Sequence, residues 1–319
     1  MSATNRSVRV AVTSRSFSRH PVLRAELLAK YPNATFNDEG RALAGDALIA
    51  FLKDHERAIT ALDRLDEKVF RALPELKIVS KYGVGFDMID LDAMTRHGVK
   101  LGWTGGVNRR SVTELVIAFA LILLRHLPTT AAETRDGKWQ GRGGRLLSAR
   151  TVGIVGCGHI GKDLAQLLRA FGCRVLSHDI RDFPAFYAQH GVEPVDLDLL
   201  LRNADIVTLH LPLDETTRNL FSAERLALMR PDAILINTAR GGIVDEHALK
   251  ARLKNGRLAG AAFDVFAAEP PEDAELLRLP NFLATPHIGG GAEEAILAMG
   301  RAAIAGLDNA RDPHDVLKE

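Results

Sequence analysis

The sequence has little of several features that mark common classes of protein. Its 319 residues carry 41 Lys and Arg against 40 Asp and Glu, a formal net charge of +1. This balance gives no reason to expect nucleic acid or an anionic membrane surface as a partner. Two cysteines, Cys157 and Cys173, are too few for a disulfide framework, and their spacing matches no metal site. We therefore predict no metal and no nucleic-acid partner.

Long hydrophobic runs are also missing. The longest, LVIAFALILL at 115–124, is half as long as the ~20 residues that a membrane span needs. The first residues, MSATNRSVRVAV, are polar and then alternating, unlike a secretory signal. The sequence thus predicts no membrane partner and a cytoplasmic protein.

Short β-branched runs alternate with helical stretches along the chain. This alternation is typical of parallel sheets with helices on both faces, and the length suggests two such α/β domains. The predicted strands are VRVAV (8–12), ALIAF (47–51), LKIVS (76–80), TVGIVG (151–156), CRVLSHD (173–179), DIVTLHLP (205–212), AILINTA (233–239), LAGAAFDV (258–265) and NFLATPH (281–287). The predicted helices are RAELLAK (24–30), EKVFRAL (67–73), KDLAQLLRAF, LDLLLRN, SAERLALM and EHALKARLKN.

Two longer segments leave their packing open. The first half of residues 111–139 is apolar on all sides, so it is either a core helix or a helix shared across a dimer interface. The final helix, within 293–310, can pack on either domain. A stretch dense in glycine and turn residues, 102–110, predicts the linker after a first domain that ends near residue 104.

The stretch TVGIVGCGHIGKDL places three glycines, Gly156, Gly158 and Gly161, between a predicted strand and a predicted helix. In that setting the first allows a tight turn, the second lets a pyrophosphate approach the backbone, and the third lets the helix pack on the strand. Asp179 ends the next strand, where a carboxylate can bind the ribose hydroxyls and repel a 2′-phosphate. These residues predict NAD as the cofactor. The alternative is a turn that binds nothing.

Three later strands each end at a polar group. AILINTARGG runs to Arg240, LAGAAFDVFAAEP gives Asp264 and Glu269, and NFLATPHIGGG gives His287. Taken singly, each is more typical of a turn, a loop or a packed residue. Together they fit one reaction, the reduction of a 2-oxo acid. An imidazolium protonates the carbonyl oxygen, a carboxylate orients it, and a guanidinium holds the substrate carboxylate.

Six motifs occur in order along nearly the whole chain. They are KYGVGFDMID (81–90), VGIVGCGHIGKDLAQLLRAFG (152–172), LHLPLDETTRNLF (209–221), LINTARGGIVDEHAL (235–249), GAAFDVFAAEPP (260–271) and TPHIGG (285–290). With these motifs the sequence resembles the D-isomer-specific 2-hydroxyacid dehydrogenases, nearest the D-3-phosphoglycerate dehydrogenase branch. The resemblance implies a Rossmann NAD-binding domain at 105–286, inserted into a flavodoxin-like substrate domain of residues 1–104 and 287–319. It also implies a homodimer joined through the nucleotide-binding domain, and no appended regulatory domain is expected.

The same resemblance implies roles for individual residues. Arg240 would bind the substrate carboxylate and carbonyl, Glu269 would couple to the histidine, and His287 would be the acid/base. Backbone groups of Val84 and Gly85 would also hold the carboxylate, and Asn108 would lie near the substrate. Asp264 would lie near the nicotinamide amide. Cofactor contacts are implied for Gly156, Gly158, His159, Ile160, Gly161, Asp179, His210, Pro212, Thr217, Thr238, Ala239, Asp264, Gly289 and Gly290.

The match departs from the family on the predicted substrate side. Lys81-Tyr82 and Trp103-Thr104-Gly105-Gly106 stand where many relatives have other residues. ALIAFLKD (47–54), taken as a strand end, lacks an arginine that phosphoglycerate enzymes often place there. Lys81 and the pair Arg109-Arg110 are either cationic contacts to a phosphate, phosphonate or second carboxylate, or solvated surface.

Several functions therefore remain open from the sequence. The leading hypothesis is an NAD-dependent oxidoreductase for a small 2-hydroxy or 2-oxo acid, such as 3-phosphoglycerate. A hydroxypyruvate or glyoxylate reductase is the nearest rival. Glu269 argues against a formate dehydrogenase, in which glutamine usually pairs with the histidine, and less against a phosphite dehydrogenase. A non-catalytic NAD-sensing protein of the corepressor kind is the alternative from another class.

Overall fold

A computed structural model of the protein describes residues 7–316 and divides the chain into two compact units. The first unit comprises the described parts of 1–108 and 292–319, and the second comprises 109–291. The sequence-based boundaries fell instead after residues 104 and 286. The turn after His287 belongs to the second unit because the backbone N–H groups of Ile288 and Gly289 donate to the Asp264 carboxylate.

The described residues form short strands that alternate with helices. The strands are β1 (Val10–Val12), β2 (Ala34–Phe36), β3 (Arg57–Thr60), β4 (Ile78–Lys81), β5 (Lys100–Gly102), β6 (Thr151–Val155), β7 (Arg174–His178), β8 (Val192–Pro194), β9 (Ile206–Leu209), β10 (Ile234–Asn237), β11 (Gly260–Phe263) and β12 (Phe282–Ala284). The helices are α1 (Arg15–Arg19), α2 (Pro21–Lys30), α3 (Gly45–Leu52), α4 (Glu67–Ala72), α5 (Leu91–Arg96), α6 (Arg109–Leu124), α7 (Leu127–Arg135), α8 (His159–Ala170), α9 (Pro184–His190), α10 (Leu197–Asn203), α11 (Ala223–Leu228), α12 (Glu246–Lys254), α13 (Ala274–Leu277), α14 (Glu293–Gly306) and α15 (Pro313–Val316).

The first unit is built on a five-stranded parallel sheet of order β2-β1-β3-β4-β5. Its inner strands β1, β3 and β4 are buried on both faces, as is typical of a parallel sheet covered by crossover helices. The final helix, α14, packs here against β4, and the Ser80 hydroxyl donates to the Ala303 carbonyl at 2.6 Å. The last long helix therefore belongs with the first unit.

The segment ALIAFLKD is helical, so its prediction as a strand was wrong. α3 buries Leu48 and Leu52, which are four residues apart and so share one face of a helix. The strand is instead the next apolar run, RAIT, which forms β3 and ends at Thr60. The missing arginine was therefore sought after the wrong segment, because the strand of this region is β3 and its carboxyl end is at Thr60.

The second unit holds a seven-stranded sheet of order β12-β11-β10-β9-β6-β7-β8, with all neighbouring strands parallel. The first strand of this sheet along the chain is the inner strand β6. The next two strands, β7 and β8, are added on one side of β6, and β9 to β12 are added on its other side. The order reverses between β6 and β9, which is where an open parallel sheet leaves a crevice for a ligand. The predicted α/β class with two doubly wound parallel sheets is confirmed.

The apolar stretch 111–124 forms most of α6, and α7 follows after a bend. Helix α6 buries Val112, Val116, Phe119 and Leu124, whereas part of its last turn remains half-exposed. Within residues 7–316, no single helix is long and apolar enough to cross a membrane. The α6–α7 pair passes that test only when the two helices are counted together across a bend of 60°.

Candidate active site

The glycine loop after β6 has the close approaches that its spacing predicts. Gly156 has φ +99, and a Cβ there would lie 2.4 Å from the His210 carbonyl oxygen. A Cβ on Gly161 would lie 2.1 Å from the Gly156 carbonyl oxygen. Both contacts are with backbone, which cannot give way, so the turn and the packing of α8 on β6 need glycine.

Gly158 differs from these two glycines because a Cβ there would meet no atom within 4 Å. It is the N-cap of the 12-residue helix α8 and supplies no side chain to the first backbone N–H groups. An uncapped helix start beside open space is a setting in which a phosphate can be bound. Cys157, between these glycines, is fully buried, and burial raises the pKa of its thiol. A buried thiol with a raised pKa suits a small packing residue rather than a reactive group.

Asp179 follows β7 beside the same loop. Its carboxylate accepts hydrogen bonds from the Cys157 N–H at 2.5 Å and the Arg181 N–H at 2.8 Å. Ile180, next in the chain, is 98% exposed, which leaves an apolar surface beside the carboxylate. A carboxylate after β7, the second strand of this unit along the chain, suits the ribose of an adenosine, and the apolar neighbour suits its base.

Two buried polar atoms near the carboxyl ends of β9 and β10 have no protein hydrogen-bond partner. One is Nδ1 of His210, whose Nε2 bonds with the Thr208 hydroxyl at 3.0 Å, and the other is Oγ1 of Thr238. Burial lowers the pKa of His210 to about 3, so the imidazole is neutral. Buried polar atoms are nearly always bonded, so this pair fits a site that a ligand completes.

The remaining cofactor-side residues lie around the same edge of the second sheet. Thr217 is buried, and its hydroxyl donates to the Pro212 carbonyl at 2.7 Å, which closes the loop after β9. Ala239 is buried in the turn after β10. His159 and Ile160 open α8, whereas Gly289 and Gly290 follow His287. Taken together, the glycine loop, Asp179 and the two unpartnered atoms fit a dinucleotide.

His287 and Glu269 form the pair predicted from the strand ends. Nδ1 of His287 lies 3.0 Å from Oε2 of Glu269, and both side chains are partly exposed. The other carboxylate oxygen of Glu269 accepts from the Phe266 N–H at 3.2 Å. The carboxylate is therefore oriented from the backbone after β11, and it directs Nε2 of the imidazole away from itself.

The backbone at His287 is in the left-handed region, with φ +55. A side chain other than glycine costs on the order of 1 kcal/mol there and needs support from its surroundings. Asp264, 1% exposed, supplies it: its carboxylate accepts from the Ile288 and Gly289 N–H groups, both at 2.7 Å, and from the Thr285 hydroxyl. The sequence pointed to Asp264 as a cofactor neighbour but gave no sign of this role.

Arg240 lies in the turn after β10, the strand next to β11. Its Nη1 donates to the Ala239 carbonyl at 2.7 Å. The turn itself is held by Asn237, a residue that the sequence interpretation missed. Since Arg240, Glu269 and His287 follow β10, β11 and β12, the three side chains leave neighbouring strands at one edge of the second sheet.

The substrate-side candidates of the first unit lie at the carboxyl edge of its own sheet. Lys81 ends β4 and is 4% exposed, with its ammonium donating to the Ala61 carbonyl. Val84 and Gly85 follow in a half-buried loop, where the Trp103 indole N–H donates to the Val84 carbonyl at 2.7 Å. Asn108, the last residue before α6, has a buried Oδ1 with no hydrogen-bond partner.

The two arginines at the start of α6 are engaged within the second unit. Arg110 binds the Asp163 carboxylate through two hydrogen bonds at 2.8 and 2.9 Å, and Arg109 lies 3.9 Å from it. Burial would raise the pKa of Asp163, but hydrogen bonds from Arg110 and Thr113 lower it below its usual value. Asp163 thus joins α6 to α8, which favours a structural role for Arg110 over a substrate contact.

Comparison with known proteins decides between the hypotheses at the level of family. The family profile described as D-isomer specific 2-hydroxyacid dehydrogenase, NAD binding domain, matches residues 117–289, more than half of the chain. The chain belongs to the D-isomer-specific 2-hydroxyacid dehydrogenase family. The predicted resemblance and NAD as the cofactor are therefore confirmed, and the matched range of the dehydrogenase lies within the second unit.

Relatives of this dehydrogenase act on different acids. It is 33% identical to a glyoxylate reductase of Thermococcus litoralis, over 85% of each chain. It is 38% identical to a D-3-phosphoglycerate dehydrogenase of Mycobacterium tuberculosis, over 86% of this chain and 53% of that one. The crystal structure of D-lactate dehydrogenase from Aquifex aeolicus with NAD and lactic acid matches with a TM-score of 0.82 and 25% identity, over 94% of each chain.

Within the described part of this dehydrogenase, residues 7–316, no group of three or more His, Cys, Asp or Glu side chains is arranged to hold a metal ion. At the carboxyl edge of the second sheet, Glu269 and His287 instead pair with each other.

Proposed function

We propose that this protein transfers a hydride between NAD(H) and a small D-2-hydroxy or 2-oxo acid, with His287 as the acid/base. The observation that carries the proposal is the 3.0 Å contact between His287 Nδ1 and Glu269 Oε2, in the unit that matches the NAD-binding domain. Arg240 leaves the neighbouring strand end and binds the substrate carboxylate and carbonyl oxygen.

The roles of the three side chains follow from their chemistry. In the direction of reduction, the bound dinucleotide supplies a hydride to the carbonyl carbon. His287 donates a proton from Nε2 to the carbonyl oxygen, because Nδ1 is held by Glu269. The Glu269 carboxylate stabilises the imidazolium and fixes the ring plane. The Arg240 guanidinium binds the substrate carboxylate through paired hydrogen bonds and polarises the carbonyl.

The cofactor site that we propose comprises the glycine loop, Asp179 and the unpartnered polar atoms. The N–H groups at the start of α8 bind the pyrophosphate, and Asp179 binds the adenosine ribose. His210 and Thr238 offer Nδ1 and Oγ1 to the dinucleotide or its bound water. Because the Asp179 carboxylate repels a 2′-phosphate, NADH is expected to be preferred over NADPH.

The substrate that we propose is 3-phosphoglycerate or a related small acid, with glyoxylate and hydroxypyruvate as the alternatives. In the first unit, backbone N–H groups of the loop that holds Val84 and Gly85 are proposed to bind the substrate carboxylate, and Asn108 offers its unpartnered Oδ1 as an acceptor for a substrate hydroxyl. Lys81 is the cation proposed for a second anionic group. Its buried ammonium also donates to the Ala61 carbonyl.

A steady-state NADH-oxidation screen tests this proposal. The panel comprises 3-phosphohydroxypyruvate, hydroxypyruvate, glyoxylate, pyruvate, 2-oxoglutarate and phosphonopyruvate, with NADPH run beside NADH. We expect at least one acid to reach a kcat/KM above roughly 10⁴ M⁻¹s⁻¹. No turnover across the panel, in a protein that binds NADH tightly, would contradict the proposal.

We also propose that the protein is a homodimer, joined through the second unit. Leu127, the first residue of α7, is 49% exposed, and Trp139, after α7, is 90% exposed. This unit therefore presents apolar surface of the kind that interfaces cover. Light scattering after gel filtration is expected to give twice the chain mass. Replacement of Trp139 by Glu should shift the mass toward the monomer.

The compartment that we propose is the cytoplasm. Cys157 and Cys173 are both free and buried, as is typical of proteins in a reducing compartment. Cell fractionation followed by NADH-oxidation assays tests this assignment.

A further inference from the structure

Asn237 ends β10 with its side chain almost fully buried, at 1% exposure. Its Oδ1 accepts a hydrogen bond from the Ala239 N–H at 3.1 Å, and its Nδ2 donates to the Arg240 carbonyl at 2.9 Å. The oxygen and the nitrogen of the Asn237 amide therefore both form hydrogen bonds with the backbone of the turn that carries Arg240. An amide offers an acceptor and a donor on two separate atoms without a charge.

The base of this turn is anchored in the sheet. The Asn237 carbonyl accepts from the Asp264 N–H at 2.9 Å, which ties β10 to β11 at their carboxyl ends. The guanidinium is tied to the same turn, because Arg240 Nη1 donates to the Ala239 carbonyl. A displacement of the turn would therefore move the guanidinium with it.

The opposite side of the turn has no room to move. A Cβ on Gly241 would lie 1.9 Å from the carbonyl carbon and oxygen of Phe266, so the two backbones are in direct contact. The N–H of the same Phe266 orients the Glu269 carboxylate. The Arg240 turn is thus held between the Asn237 amide on one side and the Phe266 backbone on the other.

We propose that Asn237 is a positioning residue for the reaction, because its amide fixes the turn from which Arg240 reaches the substrate carboxylate. This inference rests on the proposed role of Arg240. Asn237 acts through Arg240, and a misplacement of about 1 Å in such a group can lower turnover on the order of 100-fold.

A double-mutant cycle with Arg240 tests the inference. The variants are Asn237→Asp, which keeps the shape and acceptor but removes the donor to Arg240, then Arg240→Lys, and the double variant. The readouts are kcat and KM for the panel acid with the highest kcat/KM, the inhibition constant of oxamate, and the dissociation constant of NADH. Residues that act as a unit give effects that do not add.

We expect Asn237→Asp to lower kcat/KM by roughly 30- to 100-fold, mostly through KM, and to weaken oxamate by a similar factor. NADH binding should stay within about twofold of the parent. In the Arg240→Lys background, the same substitution should lower kcat/KM by less than about threefold. Equal factors in the two backgrounds, or a loss below about threefold in the parent, would overturn the inference.

Asn281→Asp is the matched control. Asn281 also donates from Nδ2 to a backbone carbonyl, that of Leu253, but it precedes β12 at the amino edge of the same sheet. We expect it to change kcat/KM by less than about twofold in either background. If Asn237→Asp does not fold, Asn237→Ser is carried through the cycle with the same expectations, since serine keeps an acceptor near the Ala239 N–H.

The cycle separates failure of this inference from failure of the proposed function. Unchanged kcat/KM in Arg240→Lys alone would remove the proposed role of Arg240 and with it the basis of the inference. A large loss in Arg240→Lys, with additive effects of Asn237→Asp, would leave the function in place and overturn the inference alone.

Discussion

The carboxyl edges of the two parallel sheets differ in what their polar side chains bind. At the first sheet, the Thr13 hydroxyl donates to Asp63, the Lys81 ammonium to the Ala61 carbonyl, and the Trp103 indole to the Val84 carbonyl. These bonds fasten loops to one another. At the second sheet, three neighbouring strand ends carry an arginine, a glutamate and a histidine suited to acid–base chemistry.

The two edges also differ in how their proposed site residues are held in place. In the second sheet, Asn237 and Asp264 are buried one strand apart and use their side chains to hold the backbones of Arg240 and His287. In the first sheet, the proposed carboxylate contacts are backbone groups of Val84 and Gly85. Loss of the support at His287 should therefore lower turnover, whereas loss of the support at Arg240 or in the first sheet should weaken substrate binding.

Among the supporting residues, the largest effect is expected from Asp264→Asn. The new amide NH₂ would face N–H donors of Ile288 or Gly289, so the left-handed turn at His287 would lose a partner. We expect kcat/KM to fall roughly 100-fold and the free energy of unfolding by about 1–3 kcal/mol. Steady-state kinetics and thermal unfolding measure the two changes.

Asp205→Asn is the control for that variant. Asp205 is also buried and accepts a backbone N–H, that of Thr151 at 2.8 Å, but it lies at the amino edge of the second sheet. A comparable loss of stability with unchanged kcat/KM is expected. Equal losses of kcat/KM in the two variants would mean that Asp264 has no special relation to His287.

His210 gives the second sheet a dependence of stability on pH. Its pKa is lowered by burial from 6.5 to about 3, so between these pH values the unfolded chain binds a proton that the folded protein does not. Stability is therefore full above pH 6.5 and is lost as the pH falls toward 3. At pH 5 the loss from this group is about 2 kcal/mol.

Replacement of His210 by Gln should remove that part of the pH dependence, as measured by denaturant unfolding at pH 7 and pH 5 without cofactor. His55→Gln, at a half-buried position of the first unit, is the control and should leave the pH dependence unchanged. An identical pH dependence in parent and His210→Gln would refute a neutral buried imidazole.

Gly158→Ala separates cofactor binding from folding. The added methyl group meets no protein atom within 4 Å, so the unfolding midpoint should not change. It would stand where the pyrophosphate approaches the backbone, and we expect the dissociation constant of NADH to rise about tenfold. Gly161→Ala should show the reverse pattern, with a large loss of stability. Unchanged NADH affinity in Gly158→Ala would place the pyrophosphate elsewhere.

The smallest effect is expected at the first sheet, from Trp103→Phe. The change removes the hydrogen bond to the Val84 carbonyl, worth about 1 kcal/mol, and loosens the loop that is proposed to hold the substrate carboxylate. We expect KM for the oxo acid to rise about threefold, with kcat unchanged. A fall in kcat without a change in KM would break the comparison between the two edges.

The sequence predicted the parts of the molecule that depend on local patterns. The glycine spacing with its flanking strand and helix is a local signal, and so is the polar group after each of β10, β11 and β12. ALIAF was misassigned because a short apolar run suits a strand and a helix equally, and only burial of one face, Leu48 and Leu52, made it α3.

The supporting contacts could not be predicted in the same way. Asn237 and Asp264 are ordinary strand-end residues in the sequence, and their roles arise from hydrogen bonds that form once the turns fold over them. The left-handed conformation of His287 has no sequence signature, since histidine has no special preference for it comparable with that of glycine. The asparagine directly after the apolar run 233–236 and three residues before Arg240 was the available signal for an Asx turn.

Replacement of His287 by Gln, assayed by NADH oxidation with the best acid of the panel, tests the central claim most directly. Since the proposed cofactor site is made of other residues, the dissociation constant of NADH, followed by fluorescence, should stay within about twofold of the parent. The kcat should fall by roughly 10³-fold or more, as expected when a general acid is removed. A variant that keeps the turnover of the parent would show that the proton comes from another group and would contradict the account.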